Sequence, residues 1–451
     1  MGPHEQPGVP LYSVSPLNQK PSLPKKMHIA ELAGKDSESR RYFMERTARL
    51  SLGVGLTTPF ASMLNNAAAQ GGAGKAKSLI YIYCSGGMSH LDTFDCTNKS
   101  GNVMFDKEQP VSTNVDGIQL GPHFTKLAKH ADKMAIINSM HSINGAHEGG
   151  KYIMLTGYNK RATIVHPRIG PFAQELLGKR GEILPDSVIV GQSTSNSGYL
   201  DPSLSPLPIA DPNGGVPNAM LLTNDERFNR RMEIAKKLGT QFVEKFKYSG
   251  PKSYVEYYDQ ATTLLQSTEL EAFDISGEPN RSDYGESRVG LGCLLARRLV
   301  ERGVRVIEVH TGGFDMHEDL ETRSSGVFPI LDQALATLLS DLESKGLLET
   351  TMVAVGTEFG RTPNINMNAG RDHFPATYST MLAGGGIVGG QRYGESDKQG
   401  KKVVSDEVTP EDFLATIGYG MGIPLEETIY SPSRRPFTFA DKGKPVTKLF
   451  G

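Results

Sequence analysis

The sequence predicts an α/β fold, a three-layer αβα sandwich with a mostly parallel central sheet. Three observations carry that reading. Short β-branched or aromatic runs alternate with longer helical patterns, as they do when helices cover both faces of a parallel sheet. Polar residues with ligand or catalytic character collect just after those runs, where an open α/β sheet places its binding crevice. The third observation is compositional: 451 residues with 38% hydrophobic and 22% charged side chains suit one large globular α/β domain. A net charge of -2 gives no basic footprint and argues against a nucleic-acid partner.

The first segment is read apart from this fold. Residues 1 to about 38 are rich in Pro, Ser and Lys without apolar periodicity, the composition of a disordered leader. Arg40-Arg41-Tyr42-Phe43-Met44 then presents the twin-arginine export pattern. The stretch Leu50 to Leu64 is too short and too rich in Gly, Ser and Thr for a stable membrane span. Ala67-Ala68-Ala69 before Gln70 gives an A-x-A cleavage site. The alternative is an amphipathic N-terminal helix with a chance arginine pair. On the export reading, residues 1–69 are leader and signal peptide, carried by the twin-arginine translocase to the periplasm or beyond, and 70–451 are the working domain. That leader holds 8 of the 48 basic and 5 of the 50 acidic side chains, so residues 70–451 are mildly acidic. Twin-arginine export moves folded proteins, which favours a fold that acquires a metal before it leaves the cell. Cys84, Cys96 and Cys293 lack C-x-x-C spacing and are expected to be buried thiols, Cys84 with Cys96 being the one pairing an oxidising compartment allows.

Expected strands are Ser78 to Cys84, Met134 to Asn138, Ser187 to Val190, Val304 to Val309, Thr351 to Val355 and Ser379 to Ala383. A helix from Val327 to Lys345 follows from apolar residues at spacings of three and four: Val327, Ile330, Leu331, Ala334, Leu335, Leu338 and Leu342. Gly346 sits at its C-cap position. A second helix, Arg288 to Arg302, feeds the strand at 304 through Gly303. Between Tyr199 and Ser287 the pattern changes to a Pro-rich loop and two polar helices, near Asp225 to Tyr248 and Tyr254 to Phe273; residues 199–287 read as a cap or insertion.

Five polar clusters follow the strands. Gly86-Gly87-Met88-Ser89-His90-Leu91-Asp92-Thr93-Phe94-Asp95 combines a glycine turn with crowded ionisable groups, and fits either a ligand loop or a capped turn. His141 and His147, the latter followed by Glu148-Gly149-Gly150, offer imidazoles to a metal or a general base, or lie idle on a loop. Gly312-Gly313-Phe314-Asp315-Met316-His317 sets Asp and His two apart, where an extended chain points both to one side; this is the best metal motif. Thr357-Glu358-Phe359-Gly360-Arg361-Thr362-Pro363 offers a carboxylate and a guanidinium suited to a tetrahedral oxyanion, or a salt bridge that only fixes the loop. Gly370-Arg371-Asp372-His373-Phe374-Pro375 supplies adjacent Asp and His as two ligands, or as a ligand and its orienter.

These motifs together resemble an uncharacterised, usually twin-arginine-exported bacterial family, domain of unknown function fifteen-oh-one, which is itself similar to the alkaline phosphatase and sulfatase superfamily. The resemblance covers nearly all of the working domain. It implies metal-dependent hydrolysis of phosphate or sulfate esters at the carboxyl edge of the sheet. It places Asp315, His317 and His373 as the ligands of a first metal and Glu358 in a reshaped second site completed by His90 or Asp92, while Asp372 joins the metal set from its place beside His373. Ser89, His90 and Asp92 fall to substrate binding. The superfamily's nucleophile position falls around His147, and no Cys or Ser stands in the sulfatase pattern C/S-x-P-x-R; Cys293-Leu294-Leu295-Ala296-Arg297 lacks the proline. The implied mechanism has one divalent metal, zinc, calcium or magnesium, with His147 as base or nucleophile and Arg361 holding the oxyanion of a small-molecule or glycan ester. The alternative is a non-catalytic binding or accessory protein for sulfated or phosphorylated glycans.

Overall fold

A computed structural model of the chain describes residues 74–97, 99, 109–216, 219, 225–245 and 249–451. The arginine pair, the apolar stretch and the cleavage site lie outside the described residues.

Eight strands form the central sheet: β1 (Ser78–Cys84), β2 (Met134–Met140), β3 (Ser187–Val190), β4 (Leu207–Ile209), β5 (Val306–Thr311), β6 (Thr351–Gly356), β7 (Tyr378–Ala383) and β8 (Gln391–Tyr393). Their order across the sheet is β8-β2-β7-β6-β1-β5-β3-β4. β7 runs antiparallel to both its neighbours, β2 and β6, and every other pairing is parallel. The expected three-layer, mostly parallel α/β architecture is therefore what the chain adopts.

β1 shows why. All seven of its residues are buried, as in a central strand covered on both faces. The two-residue pleat sends Ile80, Ile82 and Cys84 into one core and Leu79, Tyr81 and Tyr83 into the other. The first core is closed by α5 (Arg288–Glu301) and α6 (Leu320–Ser344). The second is closed by α1 (His147–Thr156), α2 (Ile169–Leu177) and α7 (Pro410–Met421). Each fully buried Ile or Leu contributes about 1.5–3 kcal/mol to holding the layers together.

The differences from expectation have local causes. Val304 N–H closes the end of α5 on Leu299 O, so the strand begins two residues later and runs on through His310 and Thr311. α6 starts at Leu320 rather than 327, because its first two turns are mostly polar and carry no apolar stripe. The edge strands β4 and β8 are three residues each; β4 holds Pro208, which an edge tolerates and which masks it as a strand. Since β4 joins the sheet, residues 199–287 are not wholly a cap. Their two long helices are α3 (Asp225–Lys245) and α4 (Ser249–Leu265); the turn Thr268–Phe273 is a separate 3-10 helix capped by Ser267. All three cysteines are free and buried.

The exit from β1 depends on Gly86. Its φ of +120° is open to glycine, and a Cβ there would stand 2.4 Å from the Asp315 amide nitrogen. Gly86→Ala is expected to destabilise the protein by about 3 kcal/mol or more, read as a shift in the urea midpoint at constant slope. A change below about 1 kcal/mol would show that the two backbones need not meet this closely.

Candidate metal centre

Four segments at the carboxyl edge of the sheet build the site. The loop before α1 delivers His147 as the first helical residue. Asp315 and His317 follow β5 through Gly312-Gly313. Glu358 stands two residues after β6. A two-residue hairpin pairs Arg361 with His373 and so brings His373 back to the same edge. The loops carrying His317 and His373 touch backbone to backbone: a Cβ on Gly370 would meet the His317 carbonyl carbon at 2.1 Å.

Each imidazole is tied at Nδ1 to an acceptor. His147 Nδ1 donates to Glu358 Oε1 at 2.8 Å, His317 Nδ1 to Asp372 Oδ1 at 2.9 Å, and His373 Nδ1 to the Gly145 carbonyl at 2.8 Å. A carbonyl or carboxylate can only accept, so the Nδ1 protons stay where they are and the Nε2 atoms present lone pairs. Those three Nε2 atoms converge on the Asp315 carboxylate. His317 and His373 Nε2 are 3.0 Å apart; they lie 3.1 and 3.5 Å from Asp315 Oδ1, and His147 Nε2 lies 3.4 Å from Asp315 Oδ2. His147 Nε2 is shut off from solvent and hydrogen-bonded to nothing.

Lone pairs and a carboxylate crowded this way repel unless a cation lies among them. One extra proton relieves one contact; a divalent ion relieves all. Donors at about 2.0–2.1 Å around a tetrahedral ion are separated by about 3.3 Å, which the 3.0–3.5 Å spacings here straddle. The residues thus fit a divalent metal, and one donor atom each from His147, Asp315 and His373 lies within 4.8 Å of the others. The pattern of imidazoles anchored at the far nitrogen by carboxylates or carbonyls is the usual outer shell of a metal site.

The charges agree. Burial opposes ionisation of Asp315, but the Arg361 guanidinium hydrogen-bonded to it outweighs that and holds the carboxyl below its usual range. The hydrogen bond from His317 holds Asp372 below its usual range as well. Burial pulls His373 below the ordinary imidazole value, against the opposing bond to Gly145, which favours the neutral form that ligates.

The structure therefore gathers His147, Asp315, His317, His373, Glu358, Asp372 and Arg361. It alters three roles. Glu358 and Asp372, expected as ligands, orient His147 and His317 instead; Glu358 is fully buried, its second oxygen accepting from Tyr83 Oη at 2.9 Å. His147 Nε2 stands against Asp315 with the other imidazoles, a position open to a metal ligand, a base or a nucleophile alike. Arg361, expected to grip a substrate oxyanion, is 1% exposed and spends its donors on Asp315 and on the carbonyls of Gly86, Gly87 and Arg371.

Ser89, His90 and Asp92 are not at the site surface. All three are buried; Asp92 forms a bidentate pair with Arg371 at 2.8 and 3.1 Å and accepts from Ser89 Oγ at 2.6 Å, while His90 Nε2 meets Gly400 O at 3.0 Å. Ser89 and Asp92 bind the 370–375 loop to the exit of β1, and His90 ties that exit to Gly400. His141 likewise serves the fold, with Nδ1 against the Ala376 carbonyl at 3.0 Å. Tyr83, Asn366 and the Gly145 carbonyl were not legible beforehand; Asn366 Nδ2 donates to Asp372 at 3.1 Å and to the His317 carbonyl at 2.9 Å.

The family model described as "Protein of unknown function (DUF1501)" matches residues 76–450. The chain belongs to this DUF1501 family. No curated protein matches the sequence. Among solved structures, the PsFucS1 sulfatase from Pseudoalteromonas sp. is similar at 12% identity and TM-score 0.41, covering 87% of this chain and 75% of that one. The lipoteichoic acid synthase LtaP from Listeria monocytogenes is similar at 11% identity and TM-score 0.33, over 79% and 75% of the two chains. The alkaline phosphatase from the Antarctic bacterium TAB5 is similar at 10% identity and TM-score 0.29, over 70% and 94%. No helix among the described residues of this DUF1501 chain is long and apolar enough to cross a membrane.

If the centre binds a divalent metal, Asp372→Ala is expected to weaken zinc, used as the probe ion, by about 10–100-fold in a competition titration, with little change in the fold. Affinity falls as pH drops through the imidazole range near 6.5, because protonated ligands cannot bind, and burial keeps His373 neutral to lower pH than a free imidazole. Zinc binding unchanged in the variant and flat with pH would remove the centre.

Proposed function

We propose that this chain is an exported, divalent-metal-dependent hydrolase of sulfate or phosphate esters. The observation that carries the reading is the convergence of three Nδ1-anchored imidazoles on Asp315. The ester class is supported by the motifs at 86–95, 312–317, 357–363 and 370–375, which resemble the phosphatase and sulfatase superfamily.

His147, His317, His373 and Asp315 would hold the ion, and Asp315, His147 and His317 are each about 40–50% exposed, so the centre opens to solvent on one side. A bound divalent ion supplies Lewis acidity, polarising the ester and lowering the pKa of water. The chain's own part is to keep the ligand geometry fixed. Glu358, Asp372 and Gly145 hold the Nδ1 protons, and Arg361 holds Asp315 charged and oriented. Water is the nucleophile on this reading. The cysteines are buried, with Cys96 and Cys293 pushed up to about 12 by desolvation and Cys84 higher still, so no thiol is available for covalent attack.

The inward commitment of Arg361 favours one competing reading, a protein of the same fold that binds sulfated or phosphorylated glycans without turnover. Purified protein should copurify with metal and hydrolyse 4-nitrophenyl phosphate or sulfate, and Asp315→Asn should lower kcat/KM at least about 100-fold. A metal-free chain inactive on all esters defeats the hydrolase; metal and glycan binding without turnover gives the binding protein.

Export is a separate proposal, supported by Arg40-Arg41 and the small residues before Gln70. Changing both arginines to lysine should leave folded protein in the cytoplasmic fraction. Unchanged export of that variant would reject the twin-arginine route.

A further inference from the structure

A second group of polar side chains lies beside the metal centre, between α1 and the start of α2. Tyr83 on β1 and His310 on β5 are register partners, so their rings share one face, 5.5 Å apart. Two residues back along β5, Glu308 is buried and bonded by Arg168 Nη1 at 2.9 Å and His310 Nε2 at 3.0 Å. With its proton held at Nε2, His310 accepts at Nδ1 from Gln192 Nε2, 3.2 Å away. Arg168 and Glu308 cancel one another.

Lys151 is not cancelled. It stands one helical turn after His147 on α1, on the same face, with Nζ 5.8 Å from the centre of the Tyr83 ring. It is half-buried, and no hydrogen bond or ion pair is recorded for its ammonium among the described residues. The nearby carboxylates are already used: Glu308 by Arg168 and His310, Glu358 by Tyr83, Gly86 and His147. Burial, reinforced by Arg168, holds the lysine below its ordinary range against the pull of Glu358 and Glu308. A half-buried cation without its own counter-charge costs stability, and an incoming anion removes that cost.

We propose that Lys151, with Arg168 near it, forms an anion subsite next to the metal centre that recognises a second acidic group on the substrate, a sulfate, phosphate or carboxylate. This rests on the reading of the metal centre as the place where the scissile ester binds. Tyr83 is the wall between the two: its ring faces Lys151 and His310, and its hydroxyl faces Glu358 and thus the metal ligands. The preferred substrate class is therefore an ester that is anionic at two points, as in a polysulfated or phosphorylated acidic glycan, rather than a simple aryl ester.

The test is equilibrium binding to the full zinc-loaded chain, by calorimetry, of methyl phosphate and of phosphoglycolate, which adds a carboxylate to the same phosphate. Phosphoglycolate should bind about tenfold tighter or better. Lys151→Met should abolish that advantage while leaving methyl phosphate and zinc binding unchanged, and Lys151→Arg should keep most of it. Thermal melting controls for folding, and Lys151→Met should be at least as stable as the parent because it removes an unpaired charge. Equal affinities in the parent chain, binding of neither anion, or an advantage that survives Lys151→Met overturns the subsite. A variant that weakens both anions alike overturns it too, because Lys151 would then hold the ester's own group. Failure to turn over any ester sinks the hydrolase reading and leaves this binding measurement standing.

Discussion

The site is organised around one buried carboxylate. Glu358 is wholly removed from water, and a carboxylate in that position is tolerated only when donors surround it. Its three short hydrogen bonds come from three elements: Tyr83 Oη from β1, the Gly86 amide from the β1 exit, and His147 Nδ1 from the first turn of α1. Satisfying Glu358 therefore fixes the strand, the turn and the helix against β6 in one arrangement. The neighbouring Thr357 repeats the device, accepting from the Met88 amide at 2.9 Å and donating to the Cys84 carbonyl at 2.7 Å. With the turn held, Gly86 presses against Asp315, and the second side of the centre follows.

The second side depends on two buried arginines. Arg361 reaches across the site floor to carbonyls on both glycines of the β1 exit, and Arg371 is clamped by Asp92. Both side chains resemble anion-binding groups in the sequence, since arginine within a Gly-rich loop is what oxyanion sites use. Burial decides otherwise. A guanidinium has five donors in a fixed fork, and here nearly all of them meet backbone carbonyls or carboxylates of the protein, so the arginines hold loops that hold ligands. Sequence patterns give residue types near the edge of the sheet, but they do not distinguish a side chain that points out from one that points in.

This is where legibility ended. β1, β3 and the buried strands β2, β6 and β7 were readable because runs such as Ser78–Cys84 are apolar on both faces and bounded by turns. β4 and β8 were not, since three-residue edge strands carry little pattern. The Asp315–His317 pair and His373 were readable as ligands from residue type and spacing. His147 was placed in the site by the sequence, but its orientation was not legible, because the carboxylate that holds its Nδ1, Glu358, lies 211 residues away in sequence. For the same reason the turn at 89–92 could be read as ligand or as structure. Only the Asp92–Arg371 pair, 279 residues apart, resolves it.

The charges of the completed site also explain its two-sided character. Around the metal position stand Asp315, Glu358 and Asp372, opposed by Arg361 alone, so the protein shell is negative and draws in a divalent cation. Adding a divalent ion brings that shell to neutrality and concentrates positive charge at the metal position. The filled centre then attracts anions, and the nearest free positive charge on the adjoining wall is Lys151. Had that lysine been paired with Glu308, as Arg168 is, the wall would be neutral and the centre alone would select the ligand. Arg168 already occupies Glu308, which leaves Lys151 available, and the edge of the sheet then presents a second positive position across the Tyr83 ring from Glu358. A ligand with a single anionic group can use either position. One with two can use both at once, with the second contact made at the effective concentration set by the first.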